Sequence, residues 1–561
     1  MRVPVSLAAV TTRAPELASS SAAAAARSAR FAWRWVLAVV AVAVLYFVYW
    51  RLSWSAAANS DSAGNALQGW DMLHGNWLLH GWWVSDVSFY TTELPQYALL
   101  EFFGGFGTWV VHGAAAMSYT LIVVLVALVA MGRGGAEPAS VRWPRAPRPK
   151  AQASSALLAA GIAMAPQATG ALILLLGPDH TGTVVPVLLT WLVIDRVRPD
   201  MQGARWFMPV LVCVMLTWIM VADSVVLFTG IAPLIVAAIV RAFRRDAGAR
   251  RWYELSLAGA AVVAAGLGTL LPKLITRLGG YQVWHFQTHT MPLSKLPHDL
   301  WDTVQAILEL FGANIFGGQA GPGIETVLCV VRFAGVLLAV AAFVIALARF
   351  FREESILVPG LAMAILADLG AYLVSIHSSN LGSIREIVAV MPFGAVLAGR
   401  LLAAPLLRAW SGSRRRWLAP VAAVVLAGYL GGLVYDATRP AIPSANQDVA
   451  DWLAGHGLTS GLAPYWQSSS ITLDTGGRVT VNGIVPAHGG LGPYYWEVNT
   501  TQYAPARHYA NFVITDGPAS VVPIGGLAQF ARQAFGPPAH VYHTGGYTIE
   551  VWNKNLLRFL R

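Results

Sequence analysis

Long apolar runs alternate with short polar segments along most of this chain, and the runs are long enough to cross a bilayer as helices. Hydrophobic residues make up 56% of the 561 residues, and charged residues make up 12%, about half the share found in soluble domains. This pattern predicts an α-helical polytopic membrane protein with about 11 transmembrane helices. The predicted spans are 32–52, 112–132, 154–177, 183–195, 206–222, 224–240, 253–271, 325–347, 356–376, 386–406 and 418–435.

Basic residues cluster between these spans, and every cluster follows an even number of crossings if the N-terminus is cytoplasmic. The clusters are Arg133–Lys150, Arg196–Arg205, Arg241–Arg251, Arg349–Arg352 and Arg408–Arg416. We therefore expect a multi-pass protein of the plasma membrane, preceded by a disordered cytoplasmic tail at 1–30. The same topology explains the net charge of +10 without nucleic acid. Cys213 and Cys329 both lie in apolar segments, so buried thiols are expected and a disulfide framework is not.

Three long polar parts then fall outside the cell: loops 53–111 and 272–324 of a transmembrane domain at 31–435, and a C-terminal part at 436–561. The last is rich in turn residues and is predicted to form a small extracytoplasmic α/β domain. Its predicted helices are Gln447–Gly455 and Leu527–Phe535, and its predicted strands are Ser470–Leu473, Arg478–Asn482, Phe512–Thr515, His540–His543 and Tyr547–Val551. The first two strands flank the turn 474–477 and predict a hairpin.

A carboxylate opens the first external loop. Asp61, Asn65 and Gln68 are spaced at i, i+4 and i+7, so they share one face of a predicted helix that Asn59 or Ser60 would cap. One carboxylate and two amides suit a hydroxylated ligand. The alternative is structural: Asp61 caps the helix or pairs with an arginine of the loop.

The second external turn, 177–182, contains the pair Asp179 and His180. This pair is a candidate substrate-binding or metal-binding element, although two ligands alone do not define a metal site. The alternative is a solvated turn, since Pro, Asp and Gly are ordinary turn residues. Asp223 lies between two short apolar runs, where a charge is costly unless it faces a cavity or the outer surface.

Three basic residues are candidates for binding a phosphate: Arg385, Lys273 and Arg277. Arginine is well shaped for a two-pronged phosphate contact. The alternatives are a local ion pair of Arg385 with Glu386, and anchoring of a span end by the other two. His285 lies in an aromatic and polar loop that would line a sugar or lipid site, or belong to an interfacial aromatic belt.

In residues 53–97 and around 376–404 the chain resembles the GT-C superfamily, which includes protein O-mannosyltransferases, lipid A aminoarabinose transferases and oligosaccharyltransferases. Arg385, with Met391-Pro392 after it, looks similar to the arginine of an Arg-Tyr motif in several of these enzymes. The amino-acid sequence of residues 61–97 resembles that of a group of actinobacterial membrane proteins more than that of those enzymes. Asp61-Ser62 replaces the Asp-Glu pair of O-mannosyltransferases, and the Trp-Trp-Asp signature of oligosaccharyltransferases is absent.

This resemblance implies a membrane glycosyltransferase with Asp61 as general base. The donor would be a polyprenyl-phosphate-linked sugar, and the acceptor a glycan, lipid or protein of the cell envelope. Hexosyl or pentosyl transfer would proceed with inversion and a lipid-phosphate leaving group. The departures from the family motifs leave the acceptor and any need for a divalent metal open.

Two alternatives remain from the sequence. A transporter or flippase of lipid-linked precursors would carry ionisable residues deep in several spans, and Asp368 is the clearest such residue. A non-catalytic protein that binds the cell envelope would need neither Asp61 nor Arg385.

Overall fold

The structure is a computed structural model and describes residues 33, 35–132, 148–166, 174–175, 180–197, 204–245, 248, 250–284, 290–316, 323–375, 378, 381–411, 418–487, 490–517 and 525–561. The chain divides into two compact units, Met1–Val48 and Tyr49–Arg561. The predicted helical and C-terminal parts from Tyr49 onward thus belong to one unit, which contains the site described below.

The described chain is mostly helical. Its helices are α1 (Trp35–Ser53), α2 (Ser60–Leu73), α3 (Leu94–Gly104), α4 (Trp109–Met131), α5 (Arg148–Ala163), α6 (Thr181–Arg196), α7 (Ala204–Ala222), α8 (Ala232–Ala242), α9 (Arg250–Arg277), α10 (Leu296–Leu310), α11 (Ile324–Ala348), α12 (Leu357–Val374), α13 (Val390–Ser411), α14 (Leu418–Ala437), α15 (Gln447–Gly455), α16 (Tyr465–Asp474) and α17 (Leu527–Phe535). Within the described ranges, six are long and apolar enough to cross a membrane, namely α1, α4, α9, α11, α12 and α13.

The remaining apolar helices are shorter and depart from the predicted spans at identifiable points. Helix α5 ends at Ala163, whereas the sequence predicts a span at 154–177; Pro166 follows the helix end, and a proline cannot donate a backbone hydrogen bond. The predicted span at 224–240 begins as a π-helical turn, Leu227–Ile231, before α8 continues it. Such turns mark places where a helix is interrupted.

Among the described residues, ion pairs with buried carboxylates join helices inside the bundle. Arg332 of α11 donates to Asp436 of α14 at 2.8 Å, and Arg400 of α13 donates to Asp195 of α6. Charges in apolar surroundings are costly unless paired, so these four side chains stabilise each other across helix contacts. Helix α13 also packs against α4, α5 and α11, which places it centrally among the helices.

A small sheet joins loops 53–111 and 272–324 to the C-terminal part. Strand β1 (Trp82–Val84) pairs in parallel with β2 (Gln282–Val283) and antiparallel with β6 (Val498–Asn499). The indole of Trp82 also donates to Asp71 of α2 at 2.7 Å. Helix α2 is therefore held against both loops and the C-terminal part.

The C-terminal part contains a six-stranded mixed sheet in the order β5-β4-β3-β7-β9-β8. Its other strands are β3 (Ser460–Ala463), β4 (Thr480–Ala487), β5 (Gly490–Pro493), β7 (Phe512–Asp516), β8 (His540–Thr544) and β9 (Tyr547–Val551). Strand β3 runs parallel to β4 and β7. Two buried apolar clusters form its core and include side chains of α15 and α17. Helices α15 and α17 have the predicted bounds.

The predicted hairpin around 474–477 is wrong. Ser470–Leu473 forms the end of α16, not a strand. The residues alternate in polarity, but both polar and apolar side chains are buried because α16 lies between α2 and the sheet. The helix ends where Gly476 and Gly477 take positive φ angles of 60° and 79°, a conformation that favours glycine.

Candidate functional site

Asp61 lies in the first turn of α2, as its spacing predicts. Asn59 caps the helix by accepting from the Ser62 backbone N–H at 2.9 Å, and the Ser62 hydroxyl accepts from the Asn59 backbone N–H at 3.1 Å. This reciprocal cap satisfies two backbone donors, so the Asp61 side chain is left to other partners. The cap role considered for Asp61 in the sequence belongs to Asn59 instead.

The partners of Asp61 come largely from the C-terminal part. The Tyr465 hydroxyl donates to Asp61 Oδ1, and the Trp496 side chain also bonds the carboxylate. Burial raises the pKa of Asp61, while the Tyr465 bond, the positive charge of Arg385 and the Trp496 bond hold that rise down. Arg385 is therefore close enough to Asp61 for its charge to be felt.

Asn65 and Gln68 share the buried face of α2 with Asp61. Gln68 Nε2 lies 3.5 Å from Asn65 Oδ1, at the limit of a hydrogen bond. Asn65 Nδ2 and Gln68 Oε1 have no hydrogen-bond partner among the described residues. Buried amide atoms are normally satisfied, so these two atoms are available to a polar ligand or to water.

His180 is buried and lies between two carboxyl groups. Its Nδ1 is 2.7 Å from Asp223 Oδ2, and its Nε2 is 3.1 Å from Glu386 Oε2. Burial alone would lower the pKa of His180, but the two carboxylates outweigh it and raise the pKa well above its usual value. Asp223, expected at the outer surface or facing a cavity, is thus the buried partner of His180.

Asp86 connects the surroundings of His180 with those of Asp61. The surface of Asp86 is exposed, yet the protein atoms around it reduce its hydration, and this desolvation raises the pKa of Asp86. The negative charge of Glu386 raises this pKa further, whereas the positive charges of His180 and Arg385 lower it. Asp86 also acts on the buried Glu497, which in turn lies beside Asp61. These charges form one electrostatically connected cluster.

The remaining residues that the sequence predicts for the site differ in their positions. Arg385 is about half exposed, and its Nε lies 3.7 Å from Glu386 Oε1. The local ion pair that the sequence offered as an alternative is therefore present, and the charge of Arg385 also acts on Asp61. Lys273 and Arg277 are exposed at the end of α9, and the structure gives neither a contact with the described cluster. Asp179 and His285 lie outside the described residues.

Both ring nitrogens of His180 face carboxylates, Nδ1 toward Asp223 and Nε2 toward Glu386. Among the residues that the structure describes, no three His, Cys, Asp or Glu side chains converge in a way that could hold a metal ion.

Sequence reasoning missed the contribution of the C-terminal part to the site. Tyr465 Oη lies 3.2 Å from Glu497 Oε2 as well as beside Asp61. These residues are about 400 positions from Asp61 along the chain, and no periodic pattern links them. The signal available in the sequence was Glu497, an acidic residue that lies between the aromatic residues 494–496 and a short β-like run.

Comparison with known proteins adds evidence on the fold. No protein-family model matches the chain, and no curated protein matches it in sequence. ArnT from Cupriavidus metallidurans, solved bound to undecaprenyl phosphate, matches with a TM-score of 0.50 and 15% identity over 92% of this chain and 97% of that one. The chain shares the fold of this structure. The fold expected from the sequence resemblance is thereby confirmed, and the chain is a membrane protein.

Two further matches come from Archaeoglobus fulgidus. Its oligosaccharyltransferase in the apo form matches with a TM-score of 0.46 and 13% identity, over 85% of this chain and 69% of that one. Its oligosaccharyltransferase AglB, in complex with an inhibitory peptide and a dolichol-phosphate, matches with a TM-score of 0.47 and 14% identity, over 90% of this chain and 72% of that one.

Proposed function

We propose that this chain is a membrane glycosyltransferase that moves a sugar from a polyprenyl-phosphate donor to an acceptor of the cell envelope on the outer face of the membrane. The observation that carries the proposal is the site around Asp61, whose carboxylate accepts a hydrogen bond from Tyr465 and feels the positive charge of Arg385. A base for the acceptor and a cation for the donor phosphate are the two groups that such a transfer requires. The GT-C-like fold supports the same reaction class.

In the proposed reaction, the acceptor hydroxyl oxygen attacks the anomeric carbon, and its proton passes to Asp61. The bond from that carbon to the phosphate oxygen breaks, and the oxygen leaves with the electron pair. Arg385 stabilises the negative charge on the departing lipid phosphate. A phosphate is a good leaving group, so the reaction needs no strong general acid. Attack opposite the leaving oxygen inverts the anomeric centre.

Asn65 and Gln68 are proposed to bind substrate hydroxyl groups through their unpartnered amide atoms. His180 is proposed to support the site indirectly, since its bond to Glu386 fixes the residue beside Arg385. Lys273 and Arg277 remain candidates for attracting the lipid phosphate along the membrane surface, because both are exposed.

The base is tested by Asp61→Asn in cells that produce the protein. We expect the variant to match a gene deletion in the mass spectra of envelope glycans and of polyprenyl-phosphate sugars, with transfer reduced by about 100-fold to 10,000-fold. Asp451→Asn, which removes an exposed carboxylate from α15, serves as the matched control. Unchanged glycans in a folded Asp61→Asn variant would reject Asp61 as the base.

Donor binding is tested with purified protein in lipid nanodiscs and undecaprenyl phosphate as the probe. Arg385→Ala should weaken binding, because it removes a cation whose charge acts on Asp61. Arg507→Ala, at an exposed turn, is the control and should bind as the unmodified protein does. Equal affinities for all three proteins would count against the phosphate role of Arg385.

A further inference from the structure

Glu497 has no part in the transfer described above, yet its carboxyl group is buried beside the proposed base. Only 3% of the residue is exposed, and Ser85 and Tyr465 are its hydrogen-bond partners. Burial raises the pKa of Glu497 well above its usual value, and the charge of Asp61 raises it further. A role for Glu497 in the reaction rests on the proposed role of Asp61 as the base.

Tyr465 lies between the two carboxyl groups and has a single hydroxyl hydrogen. Its oxygen is 3.2 Å from Glu497 Oε2, and it donates to Asp61 Oδ1. One hydrogen cannot serve both bonds, so the second bond needs a proton on a carboxyl group. With Tyr465 donating to Asp61, a protonated Glu497 that donates to the Tyr465 oxygen satisfies the second contact.

The backbone around Glu497 is built for this close approach. Glu497 has a φ of 47°, in the left-handed region that non-glycine residues rarely occupy, and such strain concentrates at functional sites. Opposite it, α2 carries Gly64, where a Cβ atom would lie 2.6 Å from Glu497 Oε2. A glycine one turn after Asp61 therefore makes room for the carboxyl group.

We propose that Tyr465 and Glu497 are positioning residues for Asp61: neutral Glu497 donates to the Tyr465 hydroxyl, and Tyr465 donates to Asp61. The C-terminal part thereby orients the base and keeps it ionised. The other charged and titratable groups facing these residues are Arg385, Asp86 and Tyr494. Arg385 favours the ionised form of Asp61, and the negative charge of Asp86 favours the neutral form of Glu497.

Proton balance during transfer is simple under this arrangement. Asp61 receives the acceptor proton, while Glu497 keeps its own proton. Glu497 therefore continues to donate to Tyr465, and Tyr465 continues to donate to Asp61. After the glycosylated product leaves, Asp61 returns its proton to water. Glu497 therefore needs only to be a neutral donor, and a glutamine in its place would supply an equivalent N–H.

The proton on Glu497 is tested by infrared spectroscopy of the purified full-length protein at neutral pH. The difference between unmodified protein and Glu497→Gln should contain the carbonyl stretch of a protonated carboxyl group, and the band should persist in an Asp61→Asn background. Carboxylate bands in that difference would overturn the proposal. This measurement needs no substrate, so its result does not depend on whether the protein transfers a sugar.

The positioning role is tested by the pH profile of kcat/KM for sugar transfer. Tyr465→Phe removes a hydrogen bond to the ionised base, so the acid limb should move to higher pH by about one unit or more. Glu497→Gln should leave the limb in place and keep kcat within about threefold, since the amide replaces the neutral donor. An unmoved limb in Tyr465→Phe, or loss of transfer in folded Glu497→Gln, would overturn the proposal, whereas active Asp61→Asn would reject the base itself.

Discussion

His180 joins two carboxyl groups, with its Nδ1 2.7 Å from Asp223 and its Nε2 3.1 Å from Glu386. The side chain of His180 is 7% exposed, and that of Asp223 is fully buried. An imidazolium has two N–H donors that can satisfy both acids at once. The contact therefore ties α6, which begins after His180, to the residue that follows Arg385.

Removing this imidazole should destabilise the fold. His180→Ala would leave Asp223 buried without its cationic partner, a change that costs about 3–5 kcal/mol in buried ion pairs. Denaturant unfolding of the purified protein in detergent measures the loss. His456→Ala, at an exposed histidine stacked on Trp452, is the control and should cost far less. Similar losses for the two variants would mean that the His180 pair contributes little.

The same contact predicts how stability depends on pH. The pKa of His180 is raised in the folded protein above its ordinary value of about 6.5. A raised histidine pKa contributes stability that is complete below that ordinary value and is lost as the pH rises through the folded-state value. The stability difference between unmodified protein and His180→Gln should therefore shrink above about pH 6.5. A difference that grows with pH would contradict the assignment of a protonated imidazole.

Glu101 of α3 makes a separate prediction. It is 2% exposed, both of its carboxyl oxygens lack partners among the described residues, and burial raises its pKa to about 9. The folded protein retains this proton while the unfolded chain ionises above about pH 4.5, so stability falls as pH rises between these values. We expect Glu101→Met to gain about 2–4 kcal/mol at pH 8, after allowance for partial solvent screening.

Unfolding measured at two pH values checks the Glu101 prediction. The gain in Glu101→Met should be largely lost below about pH 4.5, where both states keep the proton. Glu354→Met, at an exposed position, should show no such pH dependence. A gain that stays constant with pH would indicate better packing of methionine and not the cost of the buried carboxyl group.

Local sequence signals predicted most helices and part of the site. They could not predict contacts between residues that are far apart in the sequence. The cap and spacing of α2 placed Asp61, Asn65 and Gln68 on one buried face, because both depend on residues within a few positions. Ser470–Leu473 misled the prediction because helix α16 is buried on more than one side, which removes the helical alternation of polarity. The bonds from Tyr465 to Asp61 and Glu497 depend on tertiary packing and have no local pattern.

Gly64 offers a test of the close packing beneath the proposed base. Gly64→Ala would place a methyl group 2.6 Å from Glu497 Oε2, so the carboxyl group must shift. We expect sugar transfer to fall by about tenfold or more through misplacement of the groups around Asp61. Gly259→Ala in α9 meets no atom within 4 Å and should stabilise its helix by about 0.5–1 kcal/mol. Normal transfer by Gly64→Ala would show that Glu497 can move without disturbing Asp61.

The buried pair of Arg332 and Asp436 distinguishes structural from functional roles for charges within the helices. Its atoms are 2.8 Å apart, and each side chain is 3% exposed. Asp436→Leu alone leaves Arg332 without this partner and should cost about 3–5 kcal/mol in unfolding, whereas Arg332→Met with Asp436→Leu should recover most of that loss. Because the proposed transfer does not use this pair, the double variant should retain sugar transfer. A stable double variant without transfer would show that the pair also acts in function and would overturn a purely structural role.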